Sequence, residues 1–352
     1  MMRIGETTQS RPVAVWLFLC AALVFAMVVV GGVTRLTGSG LSITEWKPIM
    51  GAIPPLNHED WLIAFEKYKA IPQYQLVNAG MTLQEFQGIF WWEWLHRLIG
   101  RMIGVVFALP FFAFLIFRKM PRRLVWRSAV LLALGGLQGL IGWWMVSSGL
   151  SERVDVAPER LAVHLGLAFV IFSGLIWTGL EAWAGQHYNR ASRGWSVGAT
   201  LLLAVVFLQC MLGALVAGAK AGMVFTDWPL MNGAVFPPVD WAKGSIAFLH
   251  DQGLVQFNHR LGAYGLLIFA TAYAVNAWRW RLAEGAGGAA FVLAIAVWIQ
   301  AGLGIVTLVH AVPITLGAVH QSVAAVVLGL ATLNLWLVRR ARPRIFNSGP
   351  RG

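Results

Sequence analysis

Glu93-Trp94-Leu95-His96-Arg97-Leu98 opens a largely apolar run that continues to Phe117. A carboxylate, an imidazole and a guanidinium at the rim of a stretch long enough to cross hydrocarbon are costly, and they ask for a functional reason. His259-Arg260-Leu261 repeats the core of this cluster at the head of another apolar run in the other half of the chain. The recurrence points to two related membrane units in tandem.

Composition agrees. With 58% hydrophobic and 12% charged residues and a mean hydropathy of +0.67, the chain is a polytopic membrane protein rather than two soluble domains. Its net charge of +12 is scattered between apolar runs. It reads as topology information, and no basic, polar domain is present to dock nucleic acid. Cys20 and Cys210 both lie inside apolar runs, so neither a disulfide framework nor a thiolate metal site is expected, and redox chemistry would have to come from a cofactor. The N-terminus is basic and then apolar from Val13 without a small-residue cleavage site, which reads as a retained first span.

Eight segments are long and apolar enough to cross a bilayer: roughly 12–33, 90–117, 127–148, 161–182, 198–219, 254–278, 288–309 and 314–338. The short connections Arg118-Lys119-Met120-Pro121-Arg122-Arg123, Asn189 to Arg193 and Arg279-Trp280-Arg281, with the tail Arg339 to Arg344, are densely basic. By the positive-inside rule both termini are cytoplasmic, and the long loops 34–89 and 220–253 face outward. These loops echo each other. Thr44-Glu45-Trp46-Lys47-Pro48 with Gly51-Ala52-Ile53-Pro54-Pro55 matches Thr226-Asp227-Trp228-Pro229 with Gly233-Ala234-Val235-Phe236-Pro237-Pro238. Spans three and seven match through Leu137-Gln138-Gly139-Leu140-Ile141-Gly142 and Ile299-Gln300-Ala301-Gly302-Leu303-Gly304. The expected architecture is an all-α integral membrane protein of two tandem pseudo-symmetric four-helix bundles, residues 1–190 and 191–352, in the same orientation.

Spans two, four, six and eight each carry one His near the outer end: His96, His164, His259 and His320. A single His in a span is commonly a hydrogen-bonded packing residue. Four at one depth in four equivalent helices argue for ligation. Two imidazoles from facing helices suit haem iron, whereas zinc or copper would bring thiolates, carboxylates or closer spacing. Arg97 and Arg260 could meet haem propionates or simply snorkel to the interface. The halves differ three residues earlier, where Glu93 is matched by Gln256. Only the carboxylate can take up a proton or face a developing positive charge, so the first half reads as reactive and the second as an electron-transfer site. His58, His187 and His250 read as loop residues, and His310 lies near the second pocket. Trp91, Trp92 and Trp94 suit an interfacial belt. Gly135, Gly136, Gly139, Gly142, Gly302 and Gly304 suit close helix packing.

Gly31-Gly32-Val33-Thr34-Arg35-Leu36-Thr37-Gly38-Ser39-Gly40-Leu41-Ser42, Thr44 to Pro48, Glu93 to Arg97 and Asn258-His259-Arg260 resemble the haem A synthases, membrane enzymes that oxidise a methyl group of haem O to the formyl group of haem A. The resemblance runs from the first span to the eighth. It implies that His259 and His320 ligate the iron of a resident haem b, that His96 and His164 hold the substrate haem O, and that Glu93 belongs to the active site. Loop 34–89 lacks the cysteine pair of some members, which is similar to the cysteine-free proteobacterial and mitochondrial class. A bacterial inner membrane is then the expected location. The implied reaction is two successive oxidations of one carbon through an alcohol and a hydrated aldehyde. Expected partners are the haem O synthase and an unidentified membrane electron donor or acceptor, and association with a second copy of the chain is left open. Two rivals remain at this point: a di-haem cytochrome b that only moves electrons, and a transporter built on parallel repeats.

Overall fold

The computed structural model describes residues 9–185, 193–280, 282 and 285–340. His187, the connection 189–192, Arg281, the tail beyond Arg340 and the expected boundary between 190 and 191 lie outside the described residues. Eight long helices carry the chain: α1 (Arg11–Leu36), α2 (Leu83–Ile116), α3 (Arg122–Ser147), α4 (Pro158–Ala184), α5 (Arg193–Gly218), α6 (Gln252–Arg279), α7 (Ala286–Val309) and α8 (Ile314–Arg340). Each is long and apolar enough to span a membrane, and no strand occurs among the described residues. The protein is an all-α, multi-pass membrane protein.

The eight expected spans appear in number and order. The clearest difference is the start of α2, at Leu83 instead of residue 90. Thr82 explains it. Its hydroxyl accepts from the Glu85 N–H at 3.3 Å, and the Glu85 carboxylate accepts from the Thr82 N–H at 2.8 Å. This reciprocal cap begins the helix two turns before the hydropathy does. The added turns present Phe86 and Phe90 to Leu41, Phe65, Tyr68 and Ile71, an apolar cluster that seats the first outer loop and its helices His58–Lys69 and Pro72–Leu76.

In the first half α1 packs on α2 and α4, and α3 packs on α4. In the second half α5 packs on α6 and α8, and α7 packs on both α6 and α8. The halves meet through α4 with α5, α1 with α8 and α4 with α8. One seam stands out, because α2 touches α3 over a short stretch whereas α6 and α7 pack along their length. Only 11% of the most apolar window is buried in each of α2 and α3, against 28% and 22% in α6 and α7. The first half is therefore open on one flank where the second is closed.

Pro110 sits inside α2 and has no N–H to give the carbonyl of Val106, one turn earlier. An orphaned carbonyl at this depth is expensive. The indole N–H of Trp16 on α1 donates to it at 2.9 Å, so a break in one helix becomes a tie between two. At the other end of α4, the buried Glu181 accepts from Trp177 Nε1 at 2.9 Å and pairs with Arg123 and Arg127 of α3.

Candidate functional site

The four span histidines share one local design. Each ring lies edge-on against a glycine of the helix before it: His96 on Gly31 of α1, His164 on Gly142 of α3, His259 on Gly213 of α5 and His320 on Gly304 of α7. A Cβ on those glycines would stand 2.8, 3.0, 3.2 and 2.9 Å from the respective Cε1 atoms, so at Gly31 and Gly304 the ring would have to move, and at Gly142 and Gly213 it would have to give by a few tenths of an ångström. These glycines seat imidazoles rather than a neighbouring backbone. Gly142 and Gly304, expected to serve helix packing, therefore have a more specific task.

One turn before the glycine, three of the four helices carry glutamine. Gln138, Gln209 and Gln300 donate from Nε2 to the backbone carbonyls of His164, His259 and His320 at 3.0, 2.9 and 2.9 Å. The same amides lie beside the rings, at 3.2 Å from His164 Nδ1, 3.0 Å from His259 Nδ1 and 3.5 Å from His320 Nε2. Their Oε1 atoms are buried without a partner, as is Nδ1 of His320. Sequence reasoning noticed Gln138 and Gln300 only as part of the repeat and missed Gln209. The signal was present as Gln138 and Gly142, Gln209 and Gly213, and Gln300 and Gly304, always four apart.

Two imidazoles that ligate one metal, each through a bond of about 2 Å with about 1 Å more to the ring centre, stand roughly 6 Å apart. The His259 and His320 ring centres are 6.5 Å apart, with the planes at 87°. A ligating imidazole also needs an acceptor for its other N–H, and an end-for-end turn of each glutamine amide, which gives up its bond to the histidine carbonyl, would bring the unpartnered oxygen to the ring. The His259 and His320 pair fits a bis-imidazole haem. Among the described residues no cluster of three or more His, Cys, Asp or Glu is arranged for a metal ion, and Cys20 and Cys210 are free thiols.

Above the rings, Glu93 and Arg97 face the outer loop. Glu93 is 3% exposed and so is not a rim carboxylate in water. Its Oε2 accepts from Ser42 Oγ and the Ile43 N–H, both at 2.7 Å, and its Oε1 from Arg97 Nε and Nη2 at 3.0 and 2.5 Å. Arg97 also donates to the carbonyls of Glu45 and Ile43 at 2.8 and 2.6 Å. The second half repeats the clasp. Arg260 donates to the carbonyls of Phe225 and Asp227 at 3.1 and 3.0 Å, which flank Thr226 as Ile43 and Glu45 flank Thr44, and to Leu230 at 2.9 Å. Gln256 completes it by donating to Phe225 at 3.0 Å. Both arginines thus hold loops. Of the five donors of a guanidinium, the described bonds of Arg97 leave one for any propionate, and Arg260 keeps a buried Nε without a partner.

The remaining histidines stand apart. His58 begins the helix His58–Lys69, His250 lies 3.2 Å from Glu159, and the exposed His310 ring is 2.8 Å from the Val306 carbonyl.

A family model described as cytochrome oxidase assembly protein matches residues 14–332. A heme A synthase of Caulobacter sp. (strain K31) is 61% identical over 337 residues, covering 95% of this chain and 98% of the relative. The Caulobacter vibrioides heme A synthase is 58% identical with the same coverage. That of Parvibaculum lavamentivorans is 49% identical over 94% of this chain and 95% of the relative. Matches of this extent, on a fold whose two clasped loops and four seated histidines carry the motifs, leave one conclusion: the chain belongs to the haem A synthase family of cytochrome oxidase assembly proteins.

Proposed function

We propose that the protein converts haem O to haem A by oxidising the C8 methyl group to a formyl group in two successive steps, an oxidoreduction at a C–H bond. Residues 1–190 form the unit that holds the substrate between His96 and His164. Residues 191–352 form the unit that holds a resident haem b between His259 and His320. The observation that carries this reading is a difference in titratable chemistry between two corresponding pockets. Glu93, a buried carboxylate, stands where the second unit has Gln256.

The resident haem supplies one-electron transfer. The protein's part is to orient the substrate and manage its protons. All four acceptor positions of Glu93 are engaged, so it can take a proton only after a donor leaves. Ser42 is that donor, because its hydroxyl has a second acceptor in the carbonyl of Ile89 at 3.5 Å. Rotation of Ser42 frees Oε2, while Arg97 keeps the carboxylate aimed. The open flank between α2 and α3 offers the lipophilic substrate a sideways path from the bilayer.

The termini face the cytoplasm of a bacterial cell and the clasped loops face out across its inner membrane. The partners are the haem O synthase that delivers the substrate, a membrane electron carrier, and a second copy of the chain. The test is pigment extraction after expression with and without a source of haem O. Haem A appearing only with the source supports the reading. Two equal, tightly held haem b groups and no haem A would indicate a cytochrome that only transfers electrons.

A further inference from the structure

The four histidine seats are alike except in one place. Three carry glutamine one turn before the seating glycine, at Gln138, Gln209 and Gln300, and the fourth carries Met27, one turn before Gly31. Met27 is half-buried between α1 and α2, and its methyl group would meet a Cβ on Gly100 at 3.1 Å. It has no N–H for the His96 carbonyl and no carbonyl oxygen for the His96 ring. Among the described residues the His96 imidazole has no hydrogen-bond partner, while each of the other three has an amide within 3.5 Å.

A bond from the outer nitrogen of a ligating imidazole to an acceptor fixes the ring's rotation and makes the other nitrogen a stronger donor to metal. Three histidines have a group placed to do this. His96 has a seat and no brace.

We propose that Met27 is a positioning residue that makes His96 the releasable ligand of the first pocket, so that substrate and product exchange from the His96 side while His164 keeps hold. This rests on reading His96 and His164 as axial ligands. It gives the asymmetry between the halves a second component: both ligands of the second pocket are braced, by Gln209 and Gln300, as a permanent group requires. The first pocket is braced on one side, as a pocket that must empty at every turnover requires. Met27 lies on the α2 side of that pocket, and α2 borders the sparse seam with α3.

The test uses the full chain purified in detergent with its haem bound. Two properties are read: binding of carbon monoxide by the reduced protein, which needs an iron that has let go of one ligand, and the rate at which apomyoglobin strips haem from each pocket. In the wild type the first pocket binds carbon monoxide and is stripped faster than the second. Met27→Gln slows stripping of the first pocket by about 10- to 100-fold, the usual weight of a group behind a metal ligand, and suppresses carbon monoxide binding. Met27→Leu adds no polar atom and keeps fast exchange. Gln209→Met speeds loss of the second haem, which keeps the test decisive if Met27→Gln does not fold. Equal stripping rates for wild type and Met27→Gln at equal haem content overturn the inference, as does Met27→Leu behaving like Met27→Gln. The ligand assignment is separable. If His96→Ala retains both haem groups with unchanged spectra, the assignment fails. If His96→Ala loses one haem and Met27→Gln alters nothing, only the role of Met27 fails.

Discussion

Glu93 is the residue on which activity and structure are hardest to separate, because its carboxylate is both the proposed proton acceptor and the peg that fixes Ser42 and Ile43. The second half separates them. Gln256 fills the same place and still holds its loop through Phe225, so Glu93→Gln should fold, bind haem and lose haem A formation by about a hundredfold or more. Extracted pigment measured against total haem checks this, and undiminished conversion would refute the role. Glu93→Ala removes the partner of Arg97 inside a buried clasp, at a cost of about 3–5 kcal/mol, and should lower the melting temperature as well. Gly304→Ala probes the seat of His320 from the other side. Its Cβ would lie 2.9 Å from the ring, so the haem proposed to lie between His259 and His320 should be lost or spectrally shifted at an overpacking cost of about 1–3 kcal/mol, while the one proposed to lie between His96 and His164 remains. Absorption spectra distinguish the two pockets. The histidines, Glu93 and its contrast with Gln256 were all legible in the sequence, since charged and titratable residues stand out against an apolar background. The glutamines did not stand out. An amide inside a span reads as ordinary helix-packing polarity until the ring it touches is known, and Met27 could be noticed only as the missing fourth member of a set.

Among the elements, α2 shows how a local irregularity can become tertiary structure. Trp16 replaces the hydrogen bond that Pro110 cannot make, so Trp16→Phe should keep the aromatic packing on Phe107 and still lose about 1–3 kcal/mol for the carbonyl left bare. A detergent melting curve measures it, and a loss no larger than that of a surface substitution would show that the carbonyl finds another donor. The outer loop offers a milder case. Lys67 and Lys47 bond to Glu45 at 2.9 and 3.0 Å and hold its carboxyl below the usual range. A depressed folded-state pKa adds stability above the unfolded value, near pH 4, and that stability fades as the pH falls through the folded value. With the side chain 42% exposed, the contribution is under about 1 kcal/mol and weakens in salt. The melting difference between wild type and Glu45→Gln should therefore vanish in acid and shrink at high ionic strength. The spans themselves were legible from hydropathy alone. The early start of α2 was not, because Thr82 and Glu85 extend the helix through polar capping that a search for apolar length passes over.

At the scale of the whole molecule, the repeat visible in the loops is matched by two clasps, four seats and corresponding helix neighbours, and what the sequence left hidden is how the halves lock together. Gln321 on α8 donates to the Val28 carbonyl of α1 at 2.6 Å, and a Cβ on Gly32 would stand 2.6 Å from the Gln321 side chain. Nothing in the pattern of either helix announces a partner 293 residues away. This contact bears on how the chain is made. A helix inserted first must wait, one flank bare, until the last one emerges, because synthesis runs from the N-terminus and earlier units fold before later ones exist. During that interval the face of α1 at Gly32, which Gln321 later covers, has lipid or a passing chaperone for company. A nascent chain stalled before α8 would be the form most exposed to membrane proteases.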